Sequence, residues 1–503
     1  MRHVLLASLL ALLTACHMDF MSTGAELRIP PNQATQNSEQ DEHQADDGQN
    51  INPWVETSAD ATSTFSADVD SASYSLARRA ITQGLIPDPA NVRVEEFVNY
   101  FHYDDPQPTD DLPFSVNLEA APSRFGDADD IHLLRIGIQA EQVAPADRDP
   151  VNLVFLLDVS GSMNSPDKLD LVKYSMKHLV DRLSPEDTLG IVVYAGNDGV
   201  VLEPTAVQDK STIMDALDAL QAGGSTNGEA GIRTAYDLAE SAFRQDGVNR
   251  VVLCTDGDMN VGLQGLELVR LVEDFRDRGI FLTTLGFGQG NYNDDLMEQL
   301  ADNGNGNYAY IDTHNEAVRV LGENLVATLQ VVAKDVKIQV EFDASVVERW
   351  RLIGYENRLL QDDQFDDDEV DAGDIGAGHS VTALYEIDLT SEKESHGGSL
   401  AEVRLRYKEP SAADSTEHIW SMMASEGLAS FDEASPSFRF GAAVTEFAEI
   451  LRDSPHSSGT SFNEIILIGA SAAPADARSP SKQEFLDLVS SSRDLFEIAG
   501  LLD

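Results

Sequence analysis

Residues 158–162 read Asp-Val-Ser-Gly-Ser and close an uninterrupted apolar run, Val151-Asn152-Leu153-Val154-Phe155-Leu156-Leu157. A buried strand ending in one carboxylate and two hydroxyls on a tight turn offers hard oxygen donors of the kind that suit Mg²⁺ or Ca²⁺. Asp and Ser also favour turns and helix starts whatever the function. The pentapeptide alone therefore fits either a capped turn or a cation site. Two further stretches bear on the choice. Gly223-Gly224-Ser225-Thr226-Asn227 precedes a helical pattern, and Thr255-Asp256-Gly257-Asp258 closes a second apolar run that begins at Val251.

The elements that must position these stretches alternate. Apolar runs at 151–157, 189–194, 251–255, 280–285 and 308–311 predict strands. Amphipathic patterns at 168–183, 211–220, 228–243, 266–278, 294–301 and 315–330 predict helices. In the helix at 168–183, Leu169, Val172, Met176, Leu179 and Val180 form the apolar face. Nearly continuous apolar strands separated by such helices imply an α/β domain, a mainly parallel sheet covered on both faces. Ligand sites in these sheets lie beyond the carboxyl ends of the strands. All three loops leave that edge, so Asp158, Ser160, Ser162, Thr226 and Asp256 can converge. Two carboxylates brought together without a cation would repel, which argues for one being bound.

Before this domain, helices are expected at 71–83 and 91–101, then strands at 114–120 and 132–140. After it come strand-like runs at 334–342, 379–389 and 400–407, then helices at 438–452 and 481–499, with Trp350 and Trp420 as core residues. The acidic stretch 362–374 misplaces Gly373 and lacks the closing glutamate of a calcium loop, so it is expected to be a solvated loop. The organisation implied is a signal segment at 1–15, an acidic disordered tether at 16–63, and an N-terminal region of helices and strands at 64–145. The α/β domain follows at 150–332, then a β-rich, sandwich-like region at 333–432 and a helical region at 433–503.

The chain carries 87 acidic and 34 basic residues, a formal net charge of −53. Such a surface repels nucleic acid and anionic membrane. Residues 1–15 have a basic start, an apolar stretch too short to span a bilayer, and a small residue before Cys16. Leu13-Thr14-Ala15-Cys16 resembles the bacterial lipobox, which implies cleavage before Cys16 and its lipidation. His17 in the second mature position lacks the aspartate of inner-membrane retention, so the same resemblance implies a bacterial cell-envelope protein anchored at the outer membrane. The tether, as a flexible coil, would reach on the order of 40 Å. The second cysteine, Cys254, is flanked by apolar residues and is expected to be a small core residue. No disulfide framework exists.

In order and spacing, Asp158-x-Ser160-x-Ser162, Thr226 and Asp256 resemble the metal-ion-dependent adhesion site of von Willebrand factor type A domains, over roughly residues 150–330. Three stretches outside the domain resemble the bacterial YfbK-like envelope proteins: 65–74 (Phe-Ser-Ala-Asp-Val-Asp-Ser-Ala-Ser-Tyr), 92–101 (Val-Arg-Val-Glu-Glu-Phe-Val-Asn-Tyr-Phe) and 352–358 (Leu-Ile-Gly-Tyr-Glu-Asn-Arg). A fourth, 376–386, fits as well. The resemblance implies a Rossmann-like domain holding Mg²⁺, or another divalent cation such as Ca²⁺ or Mn²⁺. Ser160, Ser162 and Thr226 would give it hydroxyl oxygens, while Asp158 and Asp256 would act directly or through water. An open coordination position would accept an Asp or Glu side chain from a protein partner. Met163, Asn164, Asn197, Asp198, Asn227, Asp258 and Asn260 are expected on the rim.

An enzyme, a metal-dependent hydrolase, is the rival reading. No His-Glu-x-x-His, Gly-x-Ser-x-Gly elbow or phosphate-cradling loop occurs, and none of the eleven histidines falls in the three loops. A non-enzymatic binding module is therefore favoured. A structural or assembly scaffold whose metal is closed off internally, by Asp198 or Asp258, is the other alternative.

Overall fold

The computed structural model describes residues 51–109, 112–125, 131–194, 199–224, 228–257, 266–288, 294–390, 398–410, 412, 414–427, 430–457 and 461–501. At its centre is a six-stranded sheet in the order Tyr308–Ile311, Ile280–Phe287, Val248–Thr255, Val151–Asp158, Thr188–Tyr194, Gly199–Ala206. The first five are parallel and the last is antiparallel. Every residue of the central strand, Val151–Asp158, is buried. Its side chains alternate with the period of two that a strand imposes. Leu153, Phe155 and Leu157 join the apolar cluster under helix Leu169–Val180. Val154 and Leu156 join the opposite cluster, under helices Gly228–Ser241 and Leu266–Arg276. This is the expected mainly parallel sheet with helices on both faces.

The segments before and after this domain build two antiparallel sheets together. In one, Val55–Glu56, Val347–Ile353, Ser380–Leu389, Ile131–Ala140 and Phe114–Pro122 lie in that order. In the other, Val331–Phe342 pairs with Ser399–Lys408, which pairs with Ser415–Met423, and Thr62–Ser66 adds to Val331–Phe342. Ile136, Ile138, Val381 and Tyr385 from the first sheet meet Ile338, Val340, Val403 and Leu405 from the second in one core, so the β-rich region is a sandwich. Three C-terminal helices, Pro436–Leu451, Phe462–Ala472 and Pro480–Ala499, pack on the N-terminal helix Ala72–Thr82 and the residues after it. Phe101 sits edge-on to Phe440 at 5.2 Å and to Phe485 at 5.7 Å, a favoured aromatic geometry. Each of the three helices starts on a serine, Ser435, Ser461 or Ser479, whose hydroxyl accepts an otherwise orphaned backbone N–H.

Several expectations need correction. Ordered chain reaches into the segment taken as tether: Val55–Glu56 pairs with Arg349 and Trp350, and Thr62 already lies in a strand. The helix expected at 91–101 is only Val94–Val98. At its end the Asn99 side-chain amide ties the chain to distant backbone, donating to Asp68 O at 2.9 Å and accepting from Thr382 N at 2.8 Å. The helix expected at 315–330 is interrupted by a π-helical turn, Arg319–Glu323. There the Arg319 guanidinium bonds Glu316 and Ser71, and Gly322 lies so close to His178 that a Cβ would come within 2.8 Å of Nε2. Strands Gly199–Ala206, Val347–Ile353 and Ser415–Met423 were not anticipated. The first contains Pro204 at a sheet edge, and the second interleaves arginines with apolar residues. The acidic loop is not simply solvated. Lys337 Nζ donates to Gln364 O, Lys408 Nζ to Asp368 O, Arg406 bonds the Asp368 carboxylate, and Arg276 bonds Asp371.

The joints between segments are buried ion pairs. Arg358 meets Asp68, Asp70, Glu298 and Asp302, gathering carboxylates from the N-terminal segment and from helix Asp294–Asn303. Arg358→Met would remove the cation these carboxylates share, leaving Arg93 beside Glu298 alone, and should cost about 3–5 kcal/mol in urea denaturation. A loss below about 1 kcal/mol would show that the cluster is neutralised some other way. Nearby, buried Glu95 accepts the Tyr355 N–H at 2.9 Å, and burial, with Glu356 and Asp68 next, pushes its carboxyl up to about 7. The folded state thus favours protonated Glu95. Its contribution is complete below the ordinary carboxylate range and is lost as pH rises through about 7. Glu95→Gln should flatten this dependence and exceed the wild type by roughly 1–3 kcal/mol at pH 8 but not at pH 4.5. Denaturant titrations at the two pH values check it; parallel behaviour of the two proteins would refute the assignment.

Candidate metal centre

The central strand delivers Asp158 at its carboxyl end, and the adjacent parallel strand Val248–Thr255 delivers Asp256 one residue beyond its own end. Both carboxylates are buried, at 1% and 4% exposure. The Asp158 carboxylate orders its loop: Oδ1 accepts the Ser160 N–H at 2.7 Å, and Oδ2 lies 3.5 Å from the Thr255 hydroxyl. The Ser160 and Ser162 hydroxyl oxygens are 2.8 Å apart. Gly223 N donates to Val159 O at 2.7 Å and Gly161 N to Gly224 O at 3.3 Å, tying the start of the second loop onto the first. Gly257, which turns the chain after Asp256, has φ +82°, a conformation that favours glycine. Desolvation pushes the Asp158 carboxyl up to about 6, and the neighbouring Asp256 charge adds to the rise while hydrogen bonds from Ser160 oppose it.

Asp158, Ser160, Ser162 and Asp256 are thus brought to one sheet edge as expected. Ser162 and Asn164 are exposed, and Asn164 takes its expected place at the surface. Met163 does not. It is fully buried in the apolar cluster beneath the loop, because the tight turn Gly161–Met163 aims this thioether inward. Thr226, Asn197, Asp198, Asn227, Asp258, Asn260 and Cys16 lie outside the described residues. Cys254 is buried under the site, and desolvation holds its thiol protonated, as expected of a core residue. Among the described residues no group of three or more His, Cys, Asp or Glu is placed to hold a metal. The donors here are instead two carboxylates and serine hydroxyls, an all-oxygen set that fits a hard cation.

One residue at the site was not anticipated. Lys168 Nζ lies 2.8 Å from Asp256 Oδ2, with the ammonium side chain 10% exposed. Its signal was present in the sequence. Lys168 precedes Val172 by four residues, so the helical period puts this charge on the apolar face, where a lysine requires a partner.

Comparison with known proteins places the chain. Three family descriptions match in succession: "von Willebrand factor" over residues 38–134, "von Willebrand factor type A domain" over 152–323, and "Uncharacterized protein YfbK, C-terminal" over 327–495. The Escherichia coli (strain K12) protein described as "Uncharacterized protein YfbK" is 39% identical over 438 residues, 82% of this chain and 75% of that one. This chain belongs to the YfbK family of von Willebrand factor type A proteins. Inter-alpha-trypsin inhibitor heavy chain H2 of Mus musculus is 31% identical over 156 residues, 29% of this chain and 16% of that one, so the likeness is confined to part of each. A solved von Willebrand factor type A protein from Catenulispora acidiphila aligns over 80% of this chain and 89% of its own, with 16% identity and a TM-score of 0.41. In this chain the oxygen donors all fall within the stretch that matches the type A domain. Domains of this type are generally binding modules rather than enzymes, which gives the chain an interaction- or adhesion-type role.

Helix Gly228–Ser241 packs on the central strand, and its seat depends on one glycine. A Cβ on Gly231 would lie 2.6 Å from Tyr194 Cβ, and Tyr194 stands beside Asp158 in register. Gly231→Ala should therefore overpack the site's floor and cost about 1–3 kcal/mol. Thermal unfolding checks this, and an unchanged melting temperature would show that the helix can shift without penalty.

Proposed function

We propose that this chain is a cell-envelope lipoprotein, anchored through Cys16 at the outer membrane, that binds a protein partner by a Mg²⁺-dependent adhesion site. Asp158, Ser160, Ser162, Thr226 and Asp256 are the ligands of this reading. The observation that carries it is the pairing of two buried carboxylates, on the ends of adjacent parallel strands, with two serine hydroxyls 2.8 Å apart. When bound, the cation supplies a positive point to which an acidic side chain of the partner can attach. The protein's own part is to hold the donors ready. Asp158 freezes the serine loop through the Ser160 N–H, and the buried strand ends fix the spacing of the carboxylates.

The exposed Ser162 and Asn164 leave the site open at the surface, which suits an approaching macromolecule. The overall charge of −53 also bears on the mechanism. An acidic partner side chain approaching so negative a protein is repelled unless a cation stands between them. A divalent ion therefore makes recognition of an acid conditional on the metal. Among the described residues no helix is long and apolar enough to cross a membrane, so attachment in this reading rests on the lipid.

Asp158→Ala should reduce capture of envelope proteins from detergent-solubilised membranes at least tenfold, to the level seen with EDTA, while the melting temperature changes by only a few degrees. Equal capture in Mg²⁺ and EDTA by the wild type would defeat the adhesion reading. Metal binding without metal-dependent capture would favour a scaffold with a structural ion.

A further inference from the structure

We propose that Lys168 is a built-in counter-cation that sets how tightly the site holds a divalent metal. The inference rests on the metal reading above and assigns a role to a residue outside the ligand set. Its ammonium lies 2.8 Å from Asp256 Oδ2, and the two side chains are 10% and 3% exposed. A lysine with so little access to water loses hydration and rotamer freedom, and the carboxylate beside it is what compensates. With Lys168 in place the pair Asp158 and Asp256 carries one net negative charge rather than two. Two adjacent buried carboxylates are thereby kept together before any metal arrives. The same ammonium repels a divalent cation drawn to Asp256, so it weakens metal binding as it stabilises the metal-free form.

The placement of the lysine is built. Its backbone N–H donates to Ser165 O at 3.0 Å, which ties it to the serine loop. Its stem lies against Gly288, where a Cβ would come within 2.1 Å of Lys168 Cγ and 2.4 Å of Cε. Gly288 has φ +75°, so both space and backbone conformation call for glycine there. The Gly288 carbonyl accepts from the Tyr310 hydroxyl and from the Arg79 guanidinium of helix Ala72–Thr82. The lysine is thus backed by a glycine whose own position is fixed from the N-terminal segment, outside the metal-binding domain.

The test measures Mg²⁺ and Mn²⁺ binding to the full chain by calorimetry, together with melting temperature in EDTA and in Mg²⁺. Lys168→Met should bind at least about tenfold more tightly than the wild type. It should melt below the wild type in EDTA, with the gap narrowed or reversed in Mg²⁺. Lys168→Gln, which keeps a hydrogen-bond donor for Asp256 without the charge, should shift in the same direction and guards against a misfolded methionine variant. Affinity that is unchanged or weaker in both variants overturns the proposal. So does a melting gap that is equal in EDTA and Mg²⁺, which would mark the lysine as purely structural. A wild type that gives no binding heat and melts identically with and without metal would instead sink the metal reading itself, and this role with it.

Discussion

Buried arginine–carboxylate pairing is the interaction on which the rest of this structure depends. The chain has 87 acidic residues and 34 basic ones, so an acid placed in the interior has few cations to meet. Arg358 gathers Asp68, Asp70, Glu298 and Asp302. Arg78, on the N-terminal helix, meets Asp312 and Glu316 of the type A domain and Glu484 of the last helix. Arg351 joins Glu386 of the sandwich to Glu449 of a C-terminal helix. Each of these arginines bonds at least one carboxylate from a distant part of the chain. An apolar contact in these places would add area burial but would tolerate sliding. An arginine whose carboxylates come from several segments has one arrangement in which all are satisfied, at a desolvation cost that makes wrong arrangements expensive. Exposed pairs such as Lys210 with Asp181 add little by comparison.

This explains which parts of the fold were legible in the sequence. The central sheet could be read because its strands are apolar on both faces and its helices carry clean stripes, so local pattern and final burial agree. The run 308–311 became the strand Tyr308–Ile311 with no change of boundary. The flanks were harder. Val347–Ile353 hides a strand behind Arg349 and Arg351, and the burial of Arg351 makes sense only once Glu386 and Glu449 are beside it. Ser415–Met423 is a half-exposed edge, and Val55–Glu56 is too short to show a period. Pairings such as Val55 with Trp350 or Phe65 with Ile338 join residues hundreds of positions apart. No local window contains that information.

The site divides along the same line. Asp158, Ser160, Ser162 and Asp256 were legible because each sits at the end of an obvious strand, where parallel topology converges them. Met163 was misplaced because membership of a loop was taken to mean exposure, whereas a tight turn gives neighbouring side chains opposite directions. Lys168 was overlooked for the complementary reason. It was read as the first residue of a helix, not as a charge on that helix's buried face. In both cases the side chain was placed by its position along the sequence rather than by the direction its backbone gives it.

The buried charges and the loops that carry the oxygen donors are one system because helix Ala72–Thr82 uses consecutive residues for both. Arg78 pins the helix to Asp312, just past the end of strand Tyr308–Ile311, and to Glu316 beyond it. Arg79 reaches the Gly288 carbonyl and the Tyr310 hydroxyl, and Gly288 lies directly behind the Lys168 stem. A displacement of that helix therefore cannot leave the lysine's surroundings unchanged, since the clearance at Gly288 is already less than a methyl group requires. The lysine in turn sets the charge felt at Asp256. The segment that precedes the type A domain is in this way part of the electrostatics of the domain's binding edge. The ordered fold has reason to extend well beyond the domain that carries the donors: isolated from Arg79, the same donor residues would keep their order in the sequence but lose the support behind Gly288, against which the Lys168 stem lies.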